Sequence, residues 1–319
     1  MRLGVPKLDR ATRAGFLAIL AWSTTVALAR SLSEQVGPLT TLAVVFLTGG
    51  GLASVWQRGT RFRPHGLSAL PAKYLYGCGV LFVFYMGALF LAIARAGDRQ
   101  QVLEIGLVNY LWPALTILLS VPLLHKRARP TLLPATLMAV FGVGLVLTQG
   151  SASSWSGLLD HLFAHLVVHP VAYLLALFAA LVWALYSNLV RRWAGEASSG
   201  GVPLFMLATG LLFLSARLVV PEVSVWTLRS VVELVGFSVL TTTGYFCWDL
   251  AMRQGNMVLV AAGSYFTPLL STVVSCVYLG VSAGTGLWIG CLFIVLGALW
   301  SWRSVVDDSG HDPVRSGGG

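Results

Sequence analysis

The chain has 319 residues, of which 56% are apolar and only 10% charged, against about 25% charged in soluble domains. A soluble fold of this length cannot bury so much apolar surface, and disorder, collagen, coiled coil and a disulfide-knotted secreted fold are excluded by the same numbers. What remains is an integral membrane protein. The net charge of +9 sits in short gaps between apolar runs, which is how membrane topology is written rather than how nucleic acid is bound. The excess of arginine over lysine, 18 to 3, points to a GC-rich bacterial genome. Cys78, Cys247, Cys276 and Cys291 lie in apolar runs with no C-x-x-C pair, and read as packing residues rather than metal ligands or a disulfide framework.

A span needs about 20 mainly apolar residues to cross about 30 Å of hydrocarbon. In chain order the candidates run over residues 13–30, 38–56, 73–94, 101–121, 132–148, 170–190, 202–219, 231–252, 257–279 and 284–302. This predicts an all-α integral membrane protein with ten transmembrane helices. The breaks carry turn or charge signals: Gly37-Pro38, Arg58 to Pro64, Ala96-Gly97-Asp98, Lys126 to Pro130, Ser198 to Gly201 and Gln254-Gly255-Asn256. Ala27-Leu28-Ala29 after a basic start resembles a signal-peptidase site, but the repeat described below needs this helix. With the N-terminus inside, the inner segments hold 16 Lys and Arg and the outer ones 5. That bias predicts both termini in the cytoplasm. Residues 304–319 are polar and end in glycines, and are expected to be a disordered cytoplasmic tail. The longest outer segment, 149–169, carries His161, His165 and His169 at helical spacing. A metal could use that face, but a short interfacial helix with its polar stripe toward water is the favoured reading.

The chain repeats itself. Residues 106–146 align without gaps onto 261–301, with 10 of 41 positions identical, among them Tyr110/Tyr265, Pro113/Pro268, Ser120/Ser275 and Gly142/Gly297. Spans 1 and 6 correspond at an offset of 161, through Trp22/Trp183, Leu28/Leu189 and Arg30/Arg191. Five spans per half is odd, so the second half, 170–303, enters from the side opposite to the first, 13–150. Inverted repeats of this kind are common among secondary transporters with a midplane site at the repeat interface. Enzyme chemistry finds no support: there is no His-rich box within a span, no paired carboxylates, no Gly-rich phosphate loop, and nothing that calls for a cofactor or a metal.

Spans 4 and 9 each carry a proline near the middle, Pro113 and Pro268. Proline lacks an N–H and clashes with the carbonyl four residues back, here Asn109 and Ser264, which are repeat mates. In a bilayer such groups must find partners or face a wet cavity. Each is followed by a tyrosine, so polar groups and aromatic faces gather at one depth. Trp22, Tyr85, Tyr110, Trp112, Trp183, Tyr186, Tyr245, Trp248, Tyr265 and Phe266 lie within spans. Such a lining would stack a planar apolar group and bond an amino-acid backbone, or hold an aromatic cation through ring quadrupoles. Some of the ten are expected to be core or lipid-facing. Glu104 and Asp249 are the candidates for ion coupling. Both sit near span ends with arginines close by, Arg95 to Arg99 and Arg253, so ion pairing is favoured, since a carboxylate at mid-membrane costs about 2.5–3.5 kcal/mol. Uniport, exchange and proton antiport are all compatible with these residues. Gly49-Gly50-Gly51, Gly142/Gly144, Gly286/Gly290 and Gly297 read as close helix contacts.

These features together resemble the drug/metabolite transporter superfamily (EamA-type). The strings EIGLVNYLWPALTIL (104–118), GNMVLVAAGSYFTPLLS (255–271) and AWSTTVALAR (21–30) look more closely like its YddG-type aromatic amino acid exporters. The likeness runs from about residue 13 to 303. It implies export of phenylalanine, tyrosine and tryptophan across a bacterial inner membrane, with other amino acids and methyl viologen as further substrates. It also implies a central cavity to which Trp22, Tyr85, Tyr110, Trp112 and Trp183 contribute. One departure is visible: the superfamily commonly has Gly-Glu after the ninth span, whereas Gly280 is followed here by Val281. The partners expected are a small-molecule substrate (amino acids) and the bilayer, with no nucleic acid, and a monomer is compatible with the sequence. A multidrug exporter of flat cations is the alternative, and a membrane enzyme or lipid flippase a remote one.

Overall fold

A long apolar run can satisfy its backbone away from water in one local way, by closing every N–H onto a carbonyl of its own helix. The computed structural model describes residues 9–59, 70–147, 170–194 and 200–306, and these are almost entirely helical. The helices are α1 (Arg10–Trp22), α2 (Thr25–Val36), α3 (Pro38–Gly59), a π-helical turn (Lys73–Cys78) running into α4 (Gly79–Ala94), α5 (Arg99–Asn109) and α6 (Trp112–Leu124). After them come α7 (Leu132–Leu147), α8 (Pro170–Trp193), α9 (Val202–Val219), α10 (Leu228–Gln254), α11 (Met257–Gly263), a 3₁₀ turn (Ser264–Phe266), α12 (Thr267–Leu279) and α13 (Thr285–Ser304). Among the described residues eight helical stretches are long and apolar enough to cross a membrane, and the bent pair α1–α2 makes a ninth. The 16-residue α7 is a shorter apolar helix. The histidines of 149–169 and the chain beyond Val306 lie outside the described residues.

The first span is longer than its apolar run suggested, reaching Val36 rather than Arg30. Polar residues from Arg30 onward stay helical where partners receive them. Arg30 Nε pairs with Glu34 at 2.7 Å, and the Ser31 hydroxyl donates to Glu233 at 2.8 Å. Asp9 caps the start of α1, accepting from the Thr12 N–H at 2.7 Å; that bond holds its carboxyl below the usual carboxylate range, so the cap persists at neutral pH. The two halves of the span meet at an angle of 40°. There Ser23 and Thr24 turn their hydroxyls back onto the Leu20 and Ala21 carbonyls, at 2.7 and 2.8 Å, a bond that bends helices.

Gly37, at φ 90°, ends α2 in a conformation that suits only glycine, and Pro38 opens α3. An extended stretch before α10 clasps this joint. Glu222 accepts from the Leu39 and Thr40 N–H groups at 2.9 and 3.0 Å, the Val225 N–H donates to the Gln35 carbonyl at 2.8 Å, and the Ser224 hydroxyl donates to the Val36 carbonyl at 2.7 Å. Nothing in the apolar pattern foretold it, since these bonds are made between segments nearly two hundred positions apart. A second small device, the two-residue strands β1 (Arg127–Ala128) and β2 (Val305–Val306), pairs antiparallel and ties the chain after α13 to the turn between α6 and α7.

The helices pack in pairs: α1 against α10, α4 against α8, α3 against α9, and α7 against α13. The last pair approaches backbone to backbone. A Cβ on Gly142 would stand 2.7 Å from the Gly290 carbonyl, and one on Gly297 2.6 Å from the Ala139 nitrogen. Helices in lipid gain no hydrophobic drive from meeting, so close van der Waals approach through small residues replaces it. Gly142→Val and Gly297→Val are therefore expected to destabilise by about 1–3 kcal/mol or more, the cost of overpacking. Thermal unfolding in detergent will read this as a lowered midpoint. Gly51→Ala and Gly236→Ala, where an added Cβ meets nothing within 4 Å, should leave the midpoint unchanged.

Candidate functional site

Four indoles from four helices meet at one point inside the bundle. Trp22, Trp112, Trp183 and Trp248 are each in contact with the other three. The ring centroids are 6.2 Å apart for Trp22–Trp112, 5.4 Å for Trp22–Trp183 and 5.0 Å for Trp22–Trp248. They are 6.3 Å apart for Trp112–Trp183, 5.1 Å for Trp112–Trp248 and 6.2 Å for Trp183–Trp248. Most meet edge to face, the arrangement their quadrupoles favour, and all four are buried.

The chain delivers them by local means. Trp22 is the last residue of α1, just before the bend, and Trp112 is the first of α6, just after the break at Tyr110–Leu111. On the straight helices the aromatics come in i, i+3 pairs that share a face: Phe82 with Tyr85, Trp183 with Tyr186, Tyr245 with Trp248. Tyr85 lies 4.5 Å from Trp183, and Tyr186 stacks on the same indole at 4.8 Å and 23°. Tyr245 lies 5.3 Å from Trp22 and 5.0 Å from Phe82. Space for Trp22 is made by Gly244, where a Cβ would sit 2.5 Å from the indole nitrogen.

The structure thus gathers Trp22, Tyr85, Trp112, Trp183, Tyr186, Tyr245 and Trp248 into one body of rings. Tyr110 and Asn109 adjoin it through a small cavity of about 20 Å³ that Trp22, Tyr85, Trp112 and Tyr245 also line. Three candidates stand apart. Tyr265 is buried in a separate cluster with Ala114, Ile117 and Leu132. Phe266 is 46% exposed on the outside. Ser264 turns its hydroxyl to the Ala261 carbonyl of its own helix at 2.6 Å. Pro113 and Pro268 are each the second residue of the helix segment following a break, in α6 and α12, so both discontinuities fall where the proline pattern placed them. Phe82 is a member that sequence reasoning missed; its i, i+3 relation to Tyr85 was the available signal. Thr267, which lines the small cavity, carried none.

Charged groups close the bundle at both ends. At the end nearest the Gln254–Asn256 turn, Tyr74 donates to Asp249 Oδ1 at 2.8 Å while its oxygen accepts the Gly201 N–H at 2.8 Å. Arg253 Nε holds Asp249 Oδ2 at 2.8 Å, the pairing that the sequence suggested. A side chain at Gly200 would collide with this carboxylate. At the opposite end the Tyr173 hydroxyl donates to Glu104, and Gln101 Nε2 donates to the same hydroxyl at 3.4 Å. The arginine of the adjacent loop, Arg99, instead bonds Glu34 through Nε at 3.1 Å and the Leu279 carbonyl through Nη1 at 2.9 Å. Glu233 accepts from Ser31 and Gln35 at 2.8 and 2.9 Å. Among the described residues no group of three His, Cys, Asp or Glu could hold a metal ion. A groove of about 700 Å³ runs along the outside of α3 and α10 past Leu52, Val55 and Val239. It is open and mostly apolar, and the hydroxyls of Thr48, Ser238 and Thr242 in its lining are bonded to backbone carbonyls of their own helices.

The sequence matches the EamA-like transporter family over residues 12–148 and again over 170–303. The aromatic amino acid exporter YddG of Escherichia coli (strain K12) is 30% identical over 295 residues, covering 92% of this chain and 97% of that one. The protein of the same name from Ancylobacter novellus is 35% identical over 300 residues, 90% and 95% of the two chains. A solved crystal structure 31% identical in sequence superposes with a TM-score of 0.66, covering 91% of this chain and 96% of that one.

The closure around Asp249 yields a test. Asp249→Asn leaves the buried Arg253 charge without its counter-ion, a loss of about 3–5 kcal/mol by the measure of other buried pairs. Tyr74→Phe removes one buried hydrogen bond and is expected to cost about 1–3 kcal/mol. Unfolding midpoints in detergent should fall in that order.

Proposed function

Because the chain belongs to the EamA-like transporter family, we propose that it exports aromatic and other apolar amino acids across a bacterial inner membrane by alternating access. The observation that carries this reading is the four-indole contact, a body of rings in the middle of the bundle built from four different helices. The relatives' printed name, aromatic amino acid exporter, accords with it. A phenyl or indolyl side chain entering that body exchanges one aromatic contact for another. Each is worth about 0.5–1.5 kcal/mol, so opening the cluster is nearly compensated by filling it. The rings act as a self-filling site.

The scaffold we propose is ten spans in two inverted halves of five, with both termini in the cytoplasm. Spans 1 to 5 are α1–α2, α3, α4, α5–α6 and α7; spans 6 to 10 are α8, α9, α10, α11–α12 and α13. The packing pairs support this. Adding five to each span turns the pair 1 and 8 (α1 with α10) into the pair 6 and 3 (α8 with α4), and leaves 2 with 7 and 5 with 10 as self-mated pairs. The 16 to 5 bias of basic residues sets the direction, which puts the Tyr74–Asp249–Arg253 closure on the cytoplasmic side and the Glu104–Tyr173 and Glu34–Arg99 closures outside. Transport then requires these two sets of bonds to open in alternation about the broken spans 4 and 9. Glu104 and Asp249 are engaged by hydrogen-bond donors in these closures, which favours roles as latches over proton carriage.

Two measurements on purified protein in liposomes test the reading. Trp112→Ala and Tyr110→Ala should each cut the flux of labelled phenylalanine by about tenfold, one lost aromatic contact with its buried area; unchanged rates in both would remove them from the path. An imposed pH gradient should leave the rate nearly unaltered. A strong proton drive abolished by Glu104→Gln or Asp249→Asn would make those carboxylates carriers instead.

A further inference from the structure

The body of rings has one polar edge to which amino acid export assigns no role. It is the cavity of about 20 Å³ between Trp22, Asn109, Tyr110 and Thr267, room for about one water molecule. Three polar atoms on its lining residues have no hydrogen-bond partner among the described residues: Asn109 Oδ1, Thr267 Oγ1 and Trp22 Nε1. Those residues are 4%, 0% and 8% exposed. Buried polar groups are nearly always paired, and exceptions call for a reason. The described residues that line the cavity include no Asp, Glu, Lys, Arg or His, and the buried carboxylates Glu104 and Asp249 are held by Tyr173 and Arg253.

We infer that this edge reads the head group of the transported amino acid. Asn109 Oδ1 accepts from the α-ammonium, and the Thr267 hydroxyl donates to the α-carboxylate, while the side chain stands among the tryptophans. The inference rests on the export of amino acids proposed above. An uncharged amide oxygen and an uncharged hydroxyl, both without a partner among the described residues, match a head group with one cation, one anion and no net charge. A flat dication would find no counter-ion among the described residues that line the cavity. The two halves also contribute unlike groups at matched places. Thr267 is the repeat mate of Trp112, and Asn109 the mate of Ser264, whose hydroxyl is engaged by the Ala261 carbonyl. A symmetric frame therefore presents an asymmetric site, which fixes one orientation of the substrate. Asn109 is the last residue of α5 and Thr267 the first of α12, so both readers sit at the discontinuities about which the halves would move.

Three ligands separate the two readers: phenylalanine, phenethylamine, which lacks the carboxylate, and 3-phenylpropionate, which lacks the ammonium. Each is measured by quenching of intrinsic tryptophan fluorescence and by competition with labelled phenylalanine flux in liposomes. Asn109→Leu should weaken phenylalanine and phenethylamine by about tenfold or more, the worth of one hydrogen bond to a charged group, and leave 3-phenylpropionate unchanged. Thr267→Val should weaken phenylalanine and 3-phenylpropionate and spare phenethylamine. Asn109→Asp keeps the acceptor and should retain phenethylamine binding, which guards against mere misfolding of the leucine variant. Equal shifts for all three ligands in both variants, or no shift in either, overturn the inference while leaving export intact. Absence of phenylalanine flux and binding in the unsubstituted chain overturns both readings together.

Discussion

Everything in the middle of this molecule depends on the contact that Trp22 makes with three other indoles. To reach that point its helix must end there, and it does, in a bend held by the Ser23 and Thr24 hydroxyls. Its partner Trp112 must emerge from a broken span, and Pro113 supplies the break by withholding an N–H. On α10 the position facing the indole nitrogen must be glycine, because a Cβ at Gly244 would lie 2.5 Å away. Three local irregularities thus converge on one packed body of rings. A protein interior packs to crystal-like density, so such a body is either closed on itself or opened around a ligand of similar shape and chemistry.

The scarcity of charge has a second side. With only 10% of residues charged, each buried one needs a partner, and the partners here are drawn from different helices. Tyr74 and Asp249 join α4's π-helical start to α10, Glu104 and Tyr173 join α5 to α8, and Glu233 joins α10 to α2. These bonds are short in reach and strong only while water is excluded. In the alternating access proposed above, such bonds would open as water reaches them. The rings between them carry no charge and can part without stranding one.

Much of this was legible from residue order. The apolar runs, the turns between them and the two proline breaks follow from spacing and from the demand that backbone groups be satisfied in lipid. Legibility failed where a partner distant in the chain decided the matter. The first span runs on past Arg30 because Glu34 and Glu233 receive its polar residues. Glu104 takes the hydroxyl of Tyr173, a residue of α8 far along the chain, while Arg99 bonds Glu34 and the Leu279 carbonyl. Tyr265 and Phe266 follow the same motif as Tyr110 and Leu111, yet only Tyr110 reaches the rings. The second half forms a 3₁₀ turn at its break, where Tyr265 is buried and Phe266 is exposed.

Composition and order by themselves determined that this chain lies in a membrane, where its helices run, where two of them break and which residue types gather at the breaks. The reason is that these follow from one-dimensional demands: length of apolar run, a missing N–H, a charge that lipid rejects. Only the tertiary structure decided which aromatics meet, which carboxylate takes which donor, and that Asn109 and Thr267 share a cavity with Asn109 Oδ1 and Thr267 Oγ1 unmatched among the described residues. Those are pairings across the bundle, and helix periodicity specifies a face without naming the neighbour it will meet.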